Sequence, residues 1–203
     1  MDKPVPLDKP MDASMQIRRA TPEDAEAMSR IATDTFVETF GHLYPPEDLA
    51  YFLLAYYSPA AQRENLQDPS SAMWLLERNG VAVGHVYAGP CGLPHAEASV
   101  EDGEIKRLYV LRETHNGRWG TRLLETALDW LQRDGPRTLW VGVWSENVGA
   151  QRFYARHGFE RVGEYKYPVG NTLDDEFILR RTALSHPENA ARSDGRRAST
   201  PGV

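Results

Sequence analysis

The segment Glu104–Leu131, EIKRLYVLRETHNGRWGTRLLETALDWL, holds the residues whose order most plainly implies chemistry. A run of strand character, Glu104 to Leu111, gives way to a short polar stretch containing Gly117 and Gly120. That stretch opens onto a helical run with Leu123, Leu124, Ala127, Leu128 and Leu131 on one face. Strand, glycine loop and helix start, in that order, turn successive backbone N–H groups and the positive end of a helix dipole toward one point, where phosphate can be held. Two glycines also make an ordinary turn, and the spacing alone leaves both readings open. A second run, Asn147-Val-Gly-Ala150-Gln-Arg-Phe153-Tyr154-Ala-Arg-His-Gly158-Phe159, spaces an amide, two rings and a terminating glycine along a short helix. Asn147 there fits a plain N-cap and Tyr154 a core aromatic beside Phe153.

The rest of the chain must position these groups. Its 203 residues are 41% hydrophobic and 26% charged, which is ordinary globular composition and predicts one domain. Cys91 is the single cysteine, so neither an intramolecular disulfide framework nor a thiolate metal cluster can be built, and a reducing, cytoplasmic location is expected. A net charge of -6 argues against a surface shaped for nucleic acid. The longest apolar stretch, Leu49 to Tyr57, falls far short of the roughly 20 residues a membrane helix needs. Residues 1–15 read as a flexible leader, 16–184 as the folded domain, and 185–203 as a disordered tail.

Periodicity supplies the elements. A strand over Gln16 to Ala20 leads into Thr21-Pro22-Glu23-Asp24, an N-cap followed by proline and acids, and predicts a helix that Gly41 stops. Further helices are expected over Pro46 to Tyr56 and Pro59 to Gln67. Asn79-Gly80 between Met73–Glu77 and Val81–Tyr87 predicts a β-hairpin, and Gly89 to Asp102 reads as loop. After the helix of Gly117 to Arg133 come a buried strand, Thr138 to Trp144, a helix over Val148 to His157, and strands over Phe159–Tyr167 and Asp175–Arg181. The expected architecture is α/β (α+β): a mixed central sheet of about six to seven strands flanked by helices.

With these elements in place, the sequence resembles the GNAT superfamily of acetyl-CoA-dependent N-acetyltransferases. The family's pyrophosphate loop reads Gln/Arg-x-x-Gly-x-Gly/Ala after a strand. His115-Asn116-Gly117-Arg118-Trp119-Gly120 falls in that frame, with His115 for Gln/Arg and Arg118 for the middle glycine. The run from Asn147 to Phe159 follows the family's Asn-x-x-Ala-x-x-Phe-Tyr-x-x-x-Gly-Phe signature throughout. The resemblance implies a GNAT fold with acetyl-CoA in a cleft beside the middle strand, and no metal. It implies that the pantetheine arm pairs with the backbone of Leu108, Tyr109 and Val110, that Asn116 to Thr121 cradle the pyrophosphate, with Gly117 supplying backbone freedom, and that Asn147 meets the acetyl-pantetheine region. An Arg118 guanidinium would add a contact to phosphate.

The same resemblance assigns catalysis. Tyr154 matches the tyrosine near the CoA sulfur and would protonate the leaving thiolate, with a strand N–H, that of Val110, polarising the carbonyl. Glu104, six residues before Val110, matches the glutamate of the histone-acetylating branch and is the expected base. Strict alternation would put Glu104, Lys106, Leu108 and Val110 on one face. A surface ion pair between Glu104 and Lys106, with an ordered water as base, is the competing reading. Cys91 as a nucleophile would need a poised base beside it.

The acceptor is expected to be a small primary amine. In GNAT folds the first two helices and the last hairpin wall the acceptor channel, which brings in Phe36, Glu38, Phe40, Tyr44, Tyr51, Tyr56, Asp174, Asp175 and Glu176. GVWSENVGAQRFYARHGFERVGEYKYPVG followed by LDDEFILRR also resembles bacterial polyamine acetyltransferases of the spermidine/spermine type. A protein N-terminal or lysine acetyltransferase and a non-catalytic acyl-CoA-binding regulator are the alternatives. Tyr154 and Glu104 count against the regulator, and a homodimer is left open.

Overall fold

Asn79 and Gly80 both adopt positive φ, 51° and 78°, the geometry of a two-residue turn whose twist matches the strands it joins. They connect β2 (Ala72–Arg78) to β3 (Val81–Pro90), the hairpin at the heart of a seven-stranded sheet. The computed structural model describes residues 14–115 and 117–183. Ahead of the hairpin lie β1 (Met15–Arg19), a 3-10 turn at Pro22–Asp24, α1 (Ala25–Phe40), α2 (Pro46–Tyr57) and α3 (Pro59–Gln67). After it come β4 (Gly103–Val110), α4 (Trp119–Leu131), β5 (Leu139–Trp144), α5 (Val148–Arg156), β6 (Glu160–Val169) and β7 (Thr172–Arg181). The spatial order is β1-β2-β3-β4-β5-β7-β6, with β4 and β5 parallel and the other pairs antiparallel.

Several details differ from the sequence reading. Met15, placed in the leader, is buried at the start of β1 opposite Arg78. Gly89 and Pro90, placed in a loop, extend β3, where they pair with Glu104 and Gly103. Gly41 follows α1 in right-handed geometry, φ -57°, so α1 does not end through a left-handed cap. Residues 1–13 and 184–203, which cover most of the expected leader and the tail, lie outside the described residues. No described helix is long and apolar enough to cross a membrane.

Helices cover both faces of the sheet. Leu123, Leu124, Leu128 and Leu131 of α4 and Tyr154 of α5 pack on Ile105, Leu139, Val141 and Val143. On the other face, Met28 and Ile31 of α1 meet Met73 and Leu75, while Phe36, Phe40, Tyr44, Phe52 and Tyr57 form an aromatic cluster with Val169. Full burial of such side chains is worth about 1.5–3 kcal/mol each and fixes which way every strand faces.

Two irregularities in β4 make the cleft. Its parallel pairing with β5 is confined to Gly103↔Leu139 and Glu104↔Trp140, so the strands part beyond those two rungs. Against β3, Arg107 pairs with Tyr87 and Ile105 with Ala88, which leaves Lys106 as a β-bulge. The bulge reverses the alternation. Ile105, Leu108 and Val110 pack with the α4 core, whereas Tyr109 joins the α1–α2 cluster.

Candidate active site

A cleft of about 700 Å³ fills the gap between β4 and β5, a size suited to a small-molecule ligand. It is lined by Leu108, Tyr109, Val110, His115, Arg118, Trp119, Gly120, Thr121, Asn147 and Tyr154, which sequence reasoning had assembled from two separate motifs. Asn116 lies outside the described residues.

Backbone direction decides what β4 offers. Leu111 N–H donates to Val83 O, and antiparallel alternation then commits Tyr109 to β3 and turns the N–H and C=O of Leu108 and Val110 toward the gap. Tyr109 contributes its ring to the cleft instead of its backbone, edge-on to Phe40 at 6.0 Å. His115 donates from Nε2 to Val110 O at 3.0 Å, which ties the loop to the strand end and leaves Val110 N–H facing the cleft.

At the far end of the loop, α4 begins with no side-chain cap. Its first N–H groups, which have no intrahelical acceptors, thus gain none from the N-cap side chain, and Trp119, Gly120 and Thr121 of that first turn, at the positive end of the dipole, line the cleft. Arg118 is the N-cap and adopts φ +59°, the left-handed region that the family's glycine would enter without strain. The backbone freedom assigned to Gly117 is thus used at Arg118. Gly117 does not line the cleft, and its missing side chain serves Trp119, because a Cβ there would lie 2.4 Å from the indole Cδ1. Arg112 and Arg156, which the motifs did not single out, join Arg118 on the cleft wall.

Asn147 caps α5, its Oδ1 accepting from Ala150 N–H at 2.9 Å, while its remaining amide N–H groups belong to a residue on the cleft wall. Tyr154 is buried between Phe153 and Phe159, with ring centroids at 5.2 and 5.5 Å. Burial raises its hydroxyl pKa, so the group is a protonated phenol at neutral pH.

Strict alternation does not hold at Glu104. The bulge at Lys106 takes it off the face of Leu108 and Val110, and it is not among the residues that line the cleft. Its Oε2 accepts from Gly92 N–H at 2.8 Å and from Lys106 Nζ at 3.1 Å, the ion pair that was the competing reading. The carboxyl groups that do reach the cleft are Glu38 and Glu176. Glu38 Oε2 accepts from Arg112 N–H at 2.8 Å. Glu176, on β7 opposite Trp144 and Tyr165, is half-buried, and Tyr165 donates to its Oε2 at 2.5 Å. Burial holds its carboxyl above the usual carboxylate range, with the Tyr165 hydrogen bond opposing and Asp174 and Glu104 reinforcing the shift. Asp174 instead accepts from the Tyr44 hydroxyl, and exposed Asp175 pairs with Lys166. Cys91 is buried away from the cleft, and burial lifts its thiol to about 11, the reverse of an activated nucleophile. Among the described residues no cluster of His, Cys, Asp and Glu could hold a metal.

Residues 26–159 match the model of the Acetyltransferase (GNAT) family. The chain belongs to that family. This acetyltransferase is 26% identical, over 84% of its length and 98% of the relative's, to an uncharacterized N-acetyltransferase of Lactobacillus delbrueckii subsp. lactis. It is 30% identical to an uncharacterized N-acetyltransferase of Mycobacterium tuberculosis, over 78% of this chain and 97% of that one. Its fold resembles PaiA N-acetyltransferase of Thermoplasma acidophilum in complex with coenzyme A, with TM-score 0.67, 18% identity and coverage of 83% and 99% of the two chains. The ribosomal-protein-S18-alanine N-acetyltransferase of Escherichia coli shares the fold at TM-score 0.63 and 20% identity, over 86% and 97% of the chains. At these identities the solved structures speak for the GNAT fold alone.

Proposed function

We propose that this acetyltransferase moves the acetyl group of acetyl-CoA directly onto a primary amine. The observation that carries the reading is the continuity of one cleft, from the inward-facing backbone of Leu108 and Val110 to the uncapped start of α4. That path offers strand-like partners for the amides of a pantetheine arm, then N–H groups and the Arg118 guanidinium for a pyrophosphate. Asn147 supplies an amide donor where the arm would end.

Acetyl-CoA supplies an acetyl thioester. Val110 N–H polarises its carbonyl, Glu176 takes the proton from the amine, and Tyr154 gives its phenolic proton to the departing sulfur. The C–N bond forms as the C–S bond breaks. Glu176 replaces Glu104 as the proposed base because it lines the cleft and is poised by burial. A polyamine is the second acceptor reading, supported by Glu38 and Glu176 on the cleft wall; Asp174 and Asp175 are engaged elsewhere.

Acetyl-CoA and CoA should raise the melting temperature, and Gly120→Asp should remove that shift. A Cβ at Gly120 meets only Leu108 Cδ2 and Phe153 Cε2, both at 4.0 Å, and an acid in a first helical turn suits the dipole, so the variant keeps its fold and repels phosphate. An unchanged melting curve of the wild-type protein with saturating acetyl-CoA would overturn the reading.

A further inference from the structure

Arg107 stands out in the chamber beside the proposed reaction centre. It lies on β4 just past the bulge and lines the cleft. Its Nη1 is fully buried without a hydrogen-bond partner. The guanidinium lies over the rings of Tyr57 at 4.5 Å and Tyr87 at 5.9 Å and forms no ion pair with a described carboxylate. Glu176, on the same cleft, is bound to Tyr165 instead. The neighbouring imidazole of His85 is fully buried and neutral, its pKa lowered to about 3 by burial and by Arg107, so it offers no counter-charge.

A part-buried cation with a fully buried, unpartnered nitrogen and no anion beside it is costly, and five N–H donors in a planar fork suit a carboxylate. Arg18, by contrast, has two acidic partners, Asp24 and Glu77, at 2.7 and 2.8 Å. Arg107 has aromatic walls only. We propose that Arg107 binds an acidic group of the acceptor, so that the amine acetylated here belongs to an amino acid bearing a free carboxylate. The inference rests on the acetyl-transfer reading and specifies its acceptor. The step is the same: the amino nitrogen bonds to the acetyl carbon, the C–S bond breaks, Glu176 receives the amine proton and Tyr154 protonates the sulfur. A polycation would instead bring like charge to Arg107.

The test compares glycine, β-alanine and 4-aminobutyrate with their primary amides and with spermidine. The readouts are kcat/KM with acetyl-CoA and the melting shift each compound causes with CoA present. At least one acid should exceed its amide about 10- to 100-fold, the range of a charge-assisted forked pair. The acid-to-amide ratio should fall to near one in Arg107→Gln, mainly through KM, and take an intermediate value in Arg107→Lys, which keeps the charge and loses the fork. Amides or spermidine equal to the acids in the wild type, or an undiminished ratio in Arg107→Gln, would overturn the inference. The wild-type comparison decides even if Arg107→Gln unfolds. Failure of acetyl-CoA to bind at all would instead mark failure of the acetyl-transfer reading.

Discussion

Glu104 of β4 pairs with Trp140 of β5, and it is the last rung before the two parallel strands separate. On one side of this rung the sheet is closed, with Trp140 fully buried and its indole N–H donating to Asp102 at 2.9 Å. On the other side, the backbone of Leu108 and Val110 faces a cleft in place of a strand. A sheet that gives up ladder hydrogen bonds at its centre leaves strong donors and acceptors to be met by a ligand or water.

Replacing Tyr154 by Phe keeps the ring contacts with Phe153 and Phe159 and removes the phenolic proton. Turnover should fall about a hundred- to ten-thousand-fold, the usual worth of general acid catalysis, with acetyl-CoA affinity unchanged. Steady-state kinetics beside calorimetric titration checks this; wild-type kcat would reduce Tyr154 to packing.

Glu176→Gln should lower kcat and flatten the rise of rate with pH, since the wild-type carboxyl becomes a base only above the ordinary carboxylate range. The folded chain holds a proton that the unfolded chain releases nearer 4.5, so this group costs stability as pH rises through its raised pKa. Glu176→Gln should therefore melt no lower than wild type at neutral pH. A variant with normal turnover and an unaltered pH profile would contradict the assignment.

Much of this was legible in the sequence because it followed from local spacing. Asn79-Gly80 fixed a turn, Pro22 and Pro46 marked helix starts, and the Asn147–Phe159 run placed Tyr154 and Asn147 on one short helix. The face of Glu104 was misread because a bulge at Lys106 depends on the register with β3, which periodicity along β4 does not contain. Glu176 was placed on the acceptor wall but not as the base, and Arg107 went unassigned, because what distinguishes them lies in burial and in which partners they have or lack. Both depend on packing between segments far apart in the chain.

Arg118 holds φ +59° without glycine, a conformation that costs an L-residue roughly 1–2 kcal/mol. Arg118→Val should lower ligand-free stability by about 1 kcal/mol or more, since β-branching worsens that strain, while Arg118→Gly should not lower it. Arg118→Gly should still weaken CoA binding by removing the guanidinium. Chemical denaturation in the absence of CoA, followed by CoA titration, separates the two effects.

Arg18 joins Asp24, in the turn before α1, to Glu77 on β2, and this holds the Asp24 carboxyl at about 2. A carboxylate whose pKa is depressed on folding stabilises the fold above its unfolded value and loses that contribution as pH falls through the folded one. Melting temperature should therefore drop between about pH 4 and pH 2, and less steeply in Asp24→Asn, which is itself about 1 kcal/mol less stable at pH 7. Parallel acid profiles for the two proteins would contradict this.

The central claim is acetyl transfer from CoA to an amine at the β4–β5 cleft. Its most direct measurement is free CoA thiol released from acetyl-CoA alongside N-acetylated product, with and without an amine panel of amino acids, their amides and spermidine. The account predicts amine-dependent thiol release matched one-to-one by acetylated amine, strongly reduced in Tyr154→Phe. Tight acetyl-CoA binding with no amine-dependent release above the uncatalysed rate, for every class in the panel, would contradict it.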